Sequence, residues 1–146
     1  MSIAKRAINV CPFVFVYGTL KKGYGNNSLL RTSEFIKETS TKRHYLMVQG
    51  RYGIPFVFPK DGVDREMDEY LGPVHGHLYK VDSGDTFYNL DRLEGHPEFY
   101  TRSLVELVDG KVAWMYLIRR NTLDDYLNHQ EGMMLCHLNS NGSYEY

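Results

Sequence analysis

The run Phe13-Val14-Phe15-Val16 is aromatic or β-branched at every position and carries no polar side chain. A half-exposed strand alternates apolar and polar residues, so a short continuous run of this kind suits a strand covered on both faces. We read Cys11 to Val16 as that core strand. It ends abruptly at Tyr17-Gly18-Thr19-Leu20, where Gly18 lets the backbone approach a ligand closely and successive N–H groups can point into one hollow. Such a loop suits a carboxylate or an oxyanion. Lys21 and Lys22 follow it, but the Gly-x-x-x-x-Gly-Lys-Ser/Thr spacing of a phosphate loop is absent. Taken alone, the pattern is that of an ordinary tight turn with a solvated lysine pair. Asn26 is then placed to cap a short helix carrying Leu29 and Leu30.

The second informative stretch runs from Asp85 to Glu94. Asp85 is positioned to cap a helix there, and Gly95 followed by Pro97 stops it, because glycine tolerates the left-handed turn that ends a helix. At 100° per residue, Glu94 falls beside Phe87 and Leu90, while Asp85, Asn89 and Arg92 point away. Glu94 therefore lies on the apolar face and in the final turn. Burial and the partial negative charge of the helix end both act to raise its pKa toward the range where a carboxyl both accepts and returns a proton. A purely structural reading stands beside this one, in which Glu94 pairs with a buried arginine, Arg102 or Arg119, or turns out to solvent.

Between and beyond these stretches the pattern is mostly β. Glu34 to Val48 reads as two strands, and Ile54 to Pro59, bracketed by prolines, as a short or edge strand. Asp61 to Tyr70 reads as a solvated excursion and Val74 to Val81 as a further strand. Thr101 to Val108 and Lys111 to Arg119 form a hairpin across Asp109-Gly110, whose residues accept positive φ. Thr122 to Gln130 is expected to be a last short helix, and the polar tail from about Asn139 is expected to fray. No repeat or linker-like composition shift divides the 146 residues, so they read as a single α+β domain.

A formal net charge of −1 gives no electrostatic signature for nucleic acid. Lys5 and Arg6 before an apolar stretch imitate a secretory signal, but Asn9 and Pro12 interrupt it. No stretch approaches the roughly 20 apolar residues of a membrane span. Cys11 and Cys136 are the only cysteines and imply no disulfide framework. A cytoplasmic location with no membrane partner is the expectation. His75 and His77 share a strand face, but their spacing to His96, His129, His137 or Cys136 matches no familiar zinc pattern, so no metal is expected. Cys136 and His137, as neighbours on an extended segment, point to opposite faces and make no nucleophile pair. The many tyrosines read first as core packing with a polar rim.

Taken together, Phe15-Val16-Tyr17-Gly18-Thr19-Leu20-Lys21-Lys22-Gly23 with Asn26, and Leu90-Asp91-Arg92-Leu93-Glu94-Gly95 with Pro97, Tyr100 and Arg102, resemble the γ-glutamylcyclotransferase-like family. The likeness is greatest to γ-glutamylamine cyclotransferases. Ile54-Pro55-Phe56 and Trp114-Met115-Tyr116 resemble, more loosely, family segments that line the cavity.

The resemblance implies a small mixed, partly closed β-barrel flanked by short helices, with its pocket beside the first loop. It implies cyclisation of a γ-glutamyl amine or related γ-glutamyl compound to 5-oxoproline, with release of the free amine and no cofactor. Glu94 would be the general acid and base, Tyr17, Gly18, Thr19 and Leu20 would hold the γ-glutamyl group, and Tyr100 and Tyr116 would line or close the pocket. The alternative is a binding protein that captures a small polar metabolite in the same pocket without turning it over.

Overall fold

A computed structural model describes residues 3–50, 53–119 and 134–146. Helix α1, Ile3–Val10, leads into strand β1, Phe13–Val16, and then β2, Glu34–Ser40, and β3, Tyr45–Gln49. Strands β4, Pro55–Pro59, and β5, His75–Lys80, precede helix α2, Gly84–Glu94. The hairpin of β6, Thr101–Glu106, and β7, Val112–Leu117, follows, with a short β8, Met134–Leu135.

Strand β1 occupies the centre of a mixed sheet ordered β2-β5-β1-β7-β6, antiparallel to β5 and parallel to β7. Its apolar run is explained by that position. Val14 and Val16 pack with Phe87 and Leu90 of α2, while Phe15 packs with Leu78, Val57 and Met115 on the opposite face. The sheet coils until its edges touch at a single bridge, Thr41 to Leu107, where Val108 N–H donates to Ser40 O at 3.0 Å and Lys42 N–H to Glu106 O at 3.0 Å. Among the described residues no continuous ladder closes it. A smaller sheet, β4-β3-β8, is stitched on through Ile118 N–H to Val57 O at 2.9 Å and a two-bond bridge between Tyr45 and Gly72. The architecture is thus a mixed α+β fold with an incompletely closed barrel.

Several expectations change in detail. The first strand begins at Phe13, because the preceding segment is helix α1. Ala4 and Ala7 of that helix are buried, and the Trp114 indole donates to the carbonyls of Cys11 at 3.0 Å and Ala7 at 3.3 Å, satisfying the helix end. The excursion after β4 is exposed, as expected, but organised into short 3-10 turns at Lys60–Gly62 and Arg65–Tyr70. Ser83, not Asp85, caps α2: its hydroxyl accepts from Thr86 N–H at 3.3 Å. The tail expected to fray is pinned at Tyr144, while Ser140, Asn141, Gly142 and Glu145 stay exposed. Tyr144 is 1 % exposed, its N–H donates to Pro73 O at 2.8 Å, and its carbonyl accepts from His75 N–H at 2.8 Å. The helix expected over Thr122 to Gln130 lies outside the described residues.

Candidate active site

A cavity of about 240 Å³ opens where β1 ends, and every residue assigned a site role from the sequence lines it: Tyr17, Gly18, Thr19, Leu20, Tyr100, Tyr116 and Glu94. The turn after β1 supplies one wall, the last turn of α2 another and Tyr116 of β7 a third, and the start of β4 with Phe99 and Tyr100 completes the rim.

The turn is shaped by close packing. A Cβ on Gly18 would come within 3.2 Å of the Pro55 ring, so the absence of a side chain lets β4 abut the loop. Lys21 N–H donates to Gly18 O at 3.0 Å and Asn26 N–H to Thr19 O at 3.0 Å, folding the loop back on itself. The N–H groups of Gly18, Thr19 and Leu20 donate to no carbonyl among the described residues. Asn26 also lines the cavity, but its side chain does not cap the following 3-10 turn, Asn27–Leu30; it donates from Nδ2 to Thr19 Oγ1 at 2.8 Å.

Glu94 reaches the cavity because α2 stops on it. Gly95 takes φ 65°, and the N–H groups of Gly95 and His96 return to the carbonyls of Arg92 and Asp91 at 3.3 and 2.9 Å. Tyr100 N–H donates to Glu94 O at 3.2 Å. With those carbonyls engaged, burial is what shifts the side chain, raising the Glu94 carboxyl from its ordinary 4.5 to about 7. Neither arginine offered as a partner takes it. Arg102 is paired with Asp91 and Arg119 lies 3.8 Å from Asp61, and no hydrogen bond or ion pair to the Glu94 carboxyl occurs among the described residues.

The three tyrosines line the cavity with their rings while their hydroxyls hold the walls together. Tyr17 donates to Tyr116 O at 2.6 Å, Tyr100 to Pro55 O at 2.6 Å and Tyr116 to Asp91 Oδ1 at 2.6 Å. Burial first, then the Tyr100 and Glu94 charges, pushes the Tyr17 phenol well above its ordinary range; Tyr116 is raised by burial and then by Asp91.

Asp91 and Arg102 were not given a site role from the sequence, yet they brace it. The Arg102 guanidinium grips both Asp91 oxygens, at 2.9 and 3.0 Å, and stacks 4.6 Å from the Trp114 ring. The signal was present in the spacing: Phe87, Leu90, Asp91 and Glu94 stand at i, i+3, i+4 and i+7, one buried stripe holding two acids.

Elsewhere, His77 is buried and accepts Lys22 N–H on Nδ1 at 3.0 Å, which makes it a packing histidine. No group of three or more potential metal ligands occurs among the described residues, and none of the described helices is long and apolar enough to cross a membrane.

Fold and site together define a small-molecule pocket at the end of a partly closed mixed barrel, lined by one neutral-range carboxyl and by a loop whose Gly18, Thr19 and Leu20 amides donate to no carbonyl among the described residues. The family model described as gamma-glutamyl cyclotransferase, AIG2-like, matches residues 14–135. The chain belongs to that family. A Methanocaldococcus jannaschii protein provisionally named a gamma-glutamylcyclotransferase is 37% identical over 109 residues, covering 71% of this chain and 82% of its own. The Troponin C-akin-1 protein of Drosophila melanogaster is 36% identical over 132 residues, covering 82% and 74%. The crystal structure of a mouse AIG2-like protein superposes with a TM-score of 0.63 at 23% identity, covering 77% of this chain and 80% of that one, which supports the shared fold.

Proposed function

We propose that this protein cyclises a γ-glutamyl amine or related γ-glutamyl compound to 5-oxoproline, with Glu94 moving the protons. One observation carries the reading: a partly buried carboxyl raised to about 7, without an ion-pair partner among the described residues, shares a cavity with Gly18, Thr19 and Leu20, whose N–H groups donate to no carbonyl among the described residues. Tyr17, Tyr100 and Tyr116 would shape the wall against which the glutamyl chain folds.

The nucleophile in this chemistry belongs to the substrate. Its α-ammonium is inert until it loses a proton, and Glu94 near neutrality is ionised often enough to take one. The freed nitrogen attacks the γ-carbonyl carbon, a C–N bond closes the five-membered ring, and the carbonyl electrons move to oxygen. The loop amides offer donors to that oxyanion without reorganisation. Collapse breaks the bond to the original amide nitrogen, which departs with a proton from Glu94. In all, two protons leave the α-nitrogen and two arrive on the departing amine, which ends as an ammonium ion. Holding the flexible γ-glutamyl chain in a folded conformer lowers the barrier further.

Purified protein is to be incubated with γ-glutamyl-ε-lysine, γ-glutamyl amino acids and glutathione, and 5-oxoproline quantified. At least one γ-glutamyl compound should be converted. Glu94→Gln should lower kcat by about 10²- to 10⁴-fold while ligand still binds. Wild-type protein that binds these compounds and leaves all of them intact would point instead to a metabolite-capturing protein.

A further inference from the structure

Lys21 directly follows the cavity loop, yet it is only 3 % exposed. A lysine at that depth needs its ammonium satisfied. Nζ donates to the carbonyl of Tyr146 and sits 4.7 Å from the centre of the Tyr24 ring and 5.9 Å from that of Tyr146. The Tyr24 hydroxyl donates to the same carbonyl at 3.3 Å, and the two rings lie 5.7 Å apart. Burial lowers the Lys21 pKa, opposed by the charges of Glu145 and Glu38.

The segment that receives Lys21 is itself anchored. Tyr144 pairs in parallel with Val74 beside β5, and its hydroxyl donates to Tyr70 O. The amides of Gly18, Thr19 and Leu20 find no acceptor among the described residues, so part of what fixes their direction comes from behind the loop. Lys22 N–H donates to His77, Asn27 Nδ2 to Leu20 O at 2.8 Å, and Lys21 to the tail.

We propose that Lys21 is a positioning residue, clasping the cavity loop to residues 144–146 and thereby fixing the direction in which the Gly18 to Leu20 amides point. The clasp is independent of the chemistry; its consequence for turnover rests on the cyclotransferase reading.

Two variants test it: Lys21→Met, and a chain ended after Tyr144, which removes the accepting carbonyl and leaves Tyr144 in place beside β5. Amide hydrogen exchange should quicken about tenfold in both at the hydrogen-bonded amides of Lys21, Lys22 and Tyr24, with α2 and the β6–β7 hairpin unchanged. With a converted γ-glutamyl substrate, kcat/KM should fall about fivefold or more, mainly through kcat because the amides serve the oxyanion, while the pH midpoint of kcat stays where it is. Adding Lys21→Met to the shortened chain should add little to the shortening alone, because that chain already lacks the acceptor of the Lys21 ammonium. Loop exchange and kcat/KM unchanged in the shortened chain, or faster exchange spread evenly over the whole protein, would overturn the proposal. If the wild type forms no 5-oxoproline at all, the cyclotransferase reading fails, and the exchange experiment still decides the clasp.

Discussion

Asp91 and Glu94 stand one turn apart on the same stripe of α2, and the fold treats them in opposite ways. Asp91 is buried and fully compensated, gripped by two guanidinium nitrogens of Arg102 and by the Tyr116 hydroxyl. Glu94 faces the cavity with no such partner among the described residues, and burial alone lifts it to about 7. Depth does not separate a bracing acid from a reactive one. Compensation does: the same removal from water that demands a cation for Asp91 leaves Glu94 near the point where it exchanges a proton at neutral pH.

The sharpest way to break that contrast is to take the cation away. Arg102→Met would leave Asp91 buried and unpaired, and should cost about 3–5 kcal/mol in denaturant unfolding. Adding Asp91→Asn should recover part of it, because the two changes share one interaction. A loss below about 1 kcal/mol would mean the pair behaves like a surface bridge and the two acids are not so different.

A smaller effect is expected at Glu94, and with the opposite sign. Its pKa is higher folded than unfolded, so between about 4.5 and 7 the native state binds more protons and stability falls as pH rises through that window. Above the window the full penalty is present, at most about 3 kcal/mol for a shift of this size. Glu94→Gln should therefore match the wild type in urea midpoint near pH 4 and exceed it at pH 8. Parallel stability curves for the two proteins would show that the carboxyl is not shifted.

Much of this site was legible in the chain because its two walls are local. The end of the first strand is written in the switch from Phe13-Val14-Phe15-Val16 to Gly18, and the end of α2 in Gly95 and Pro97. Glu94 on an apolar stripe follows from helical spacing. What sequence reading missed depends on distant partners or on competition between neighbours. Ser83 and Asp85 are both capable caps, and only the geometry of the turn, with Thr86 also donating to Asp82 at 2.8 Å, chooses Ser83. Ala4, Ala7, Ile8 and Cys11 do carry helical spacing for α1, but the interruption at Asn9 and Pro12 hid it, and the indole that satisfies its last carbonyls comes from Trp114. Asn26 is drawn to Thr19 rather than to the turn it precedes. The polar tail gave no local hint of order, because Tyr144 is held by Pro73, Tyr70 and His75 across the fold.

The account rests most heavily on the protonation of Glu94. Carboxyl carbon shifts of glutamate-labelled protein, followed by NMR from pH 3 to 9 and assigned by comparison with Glu94→Gln, read it directly. The resonance absent from the variant should titrate with a midpoint of about 7. A midpoint near the ordinary 4.5 would mean that the carboxyl is hydrated or paired, and would contradict its role as the proton-transferring group.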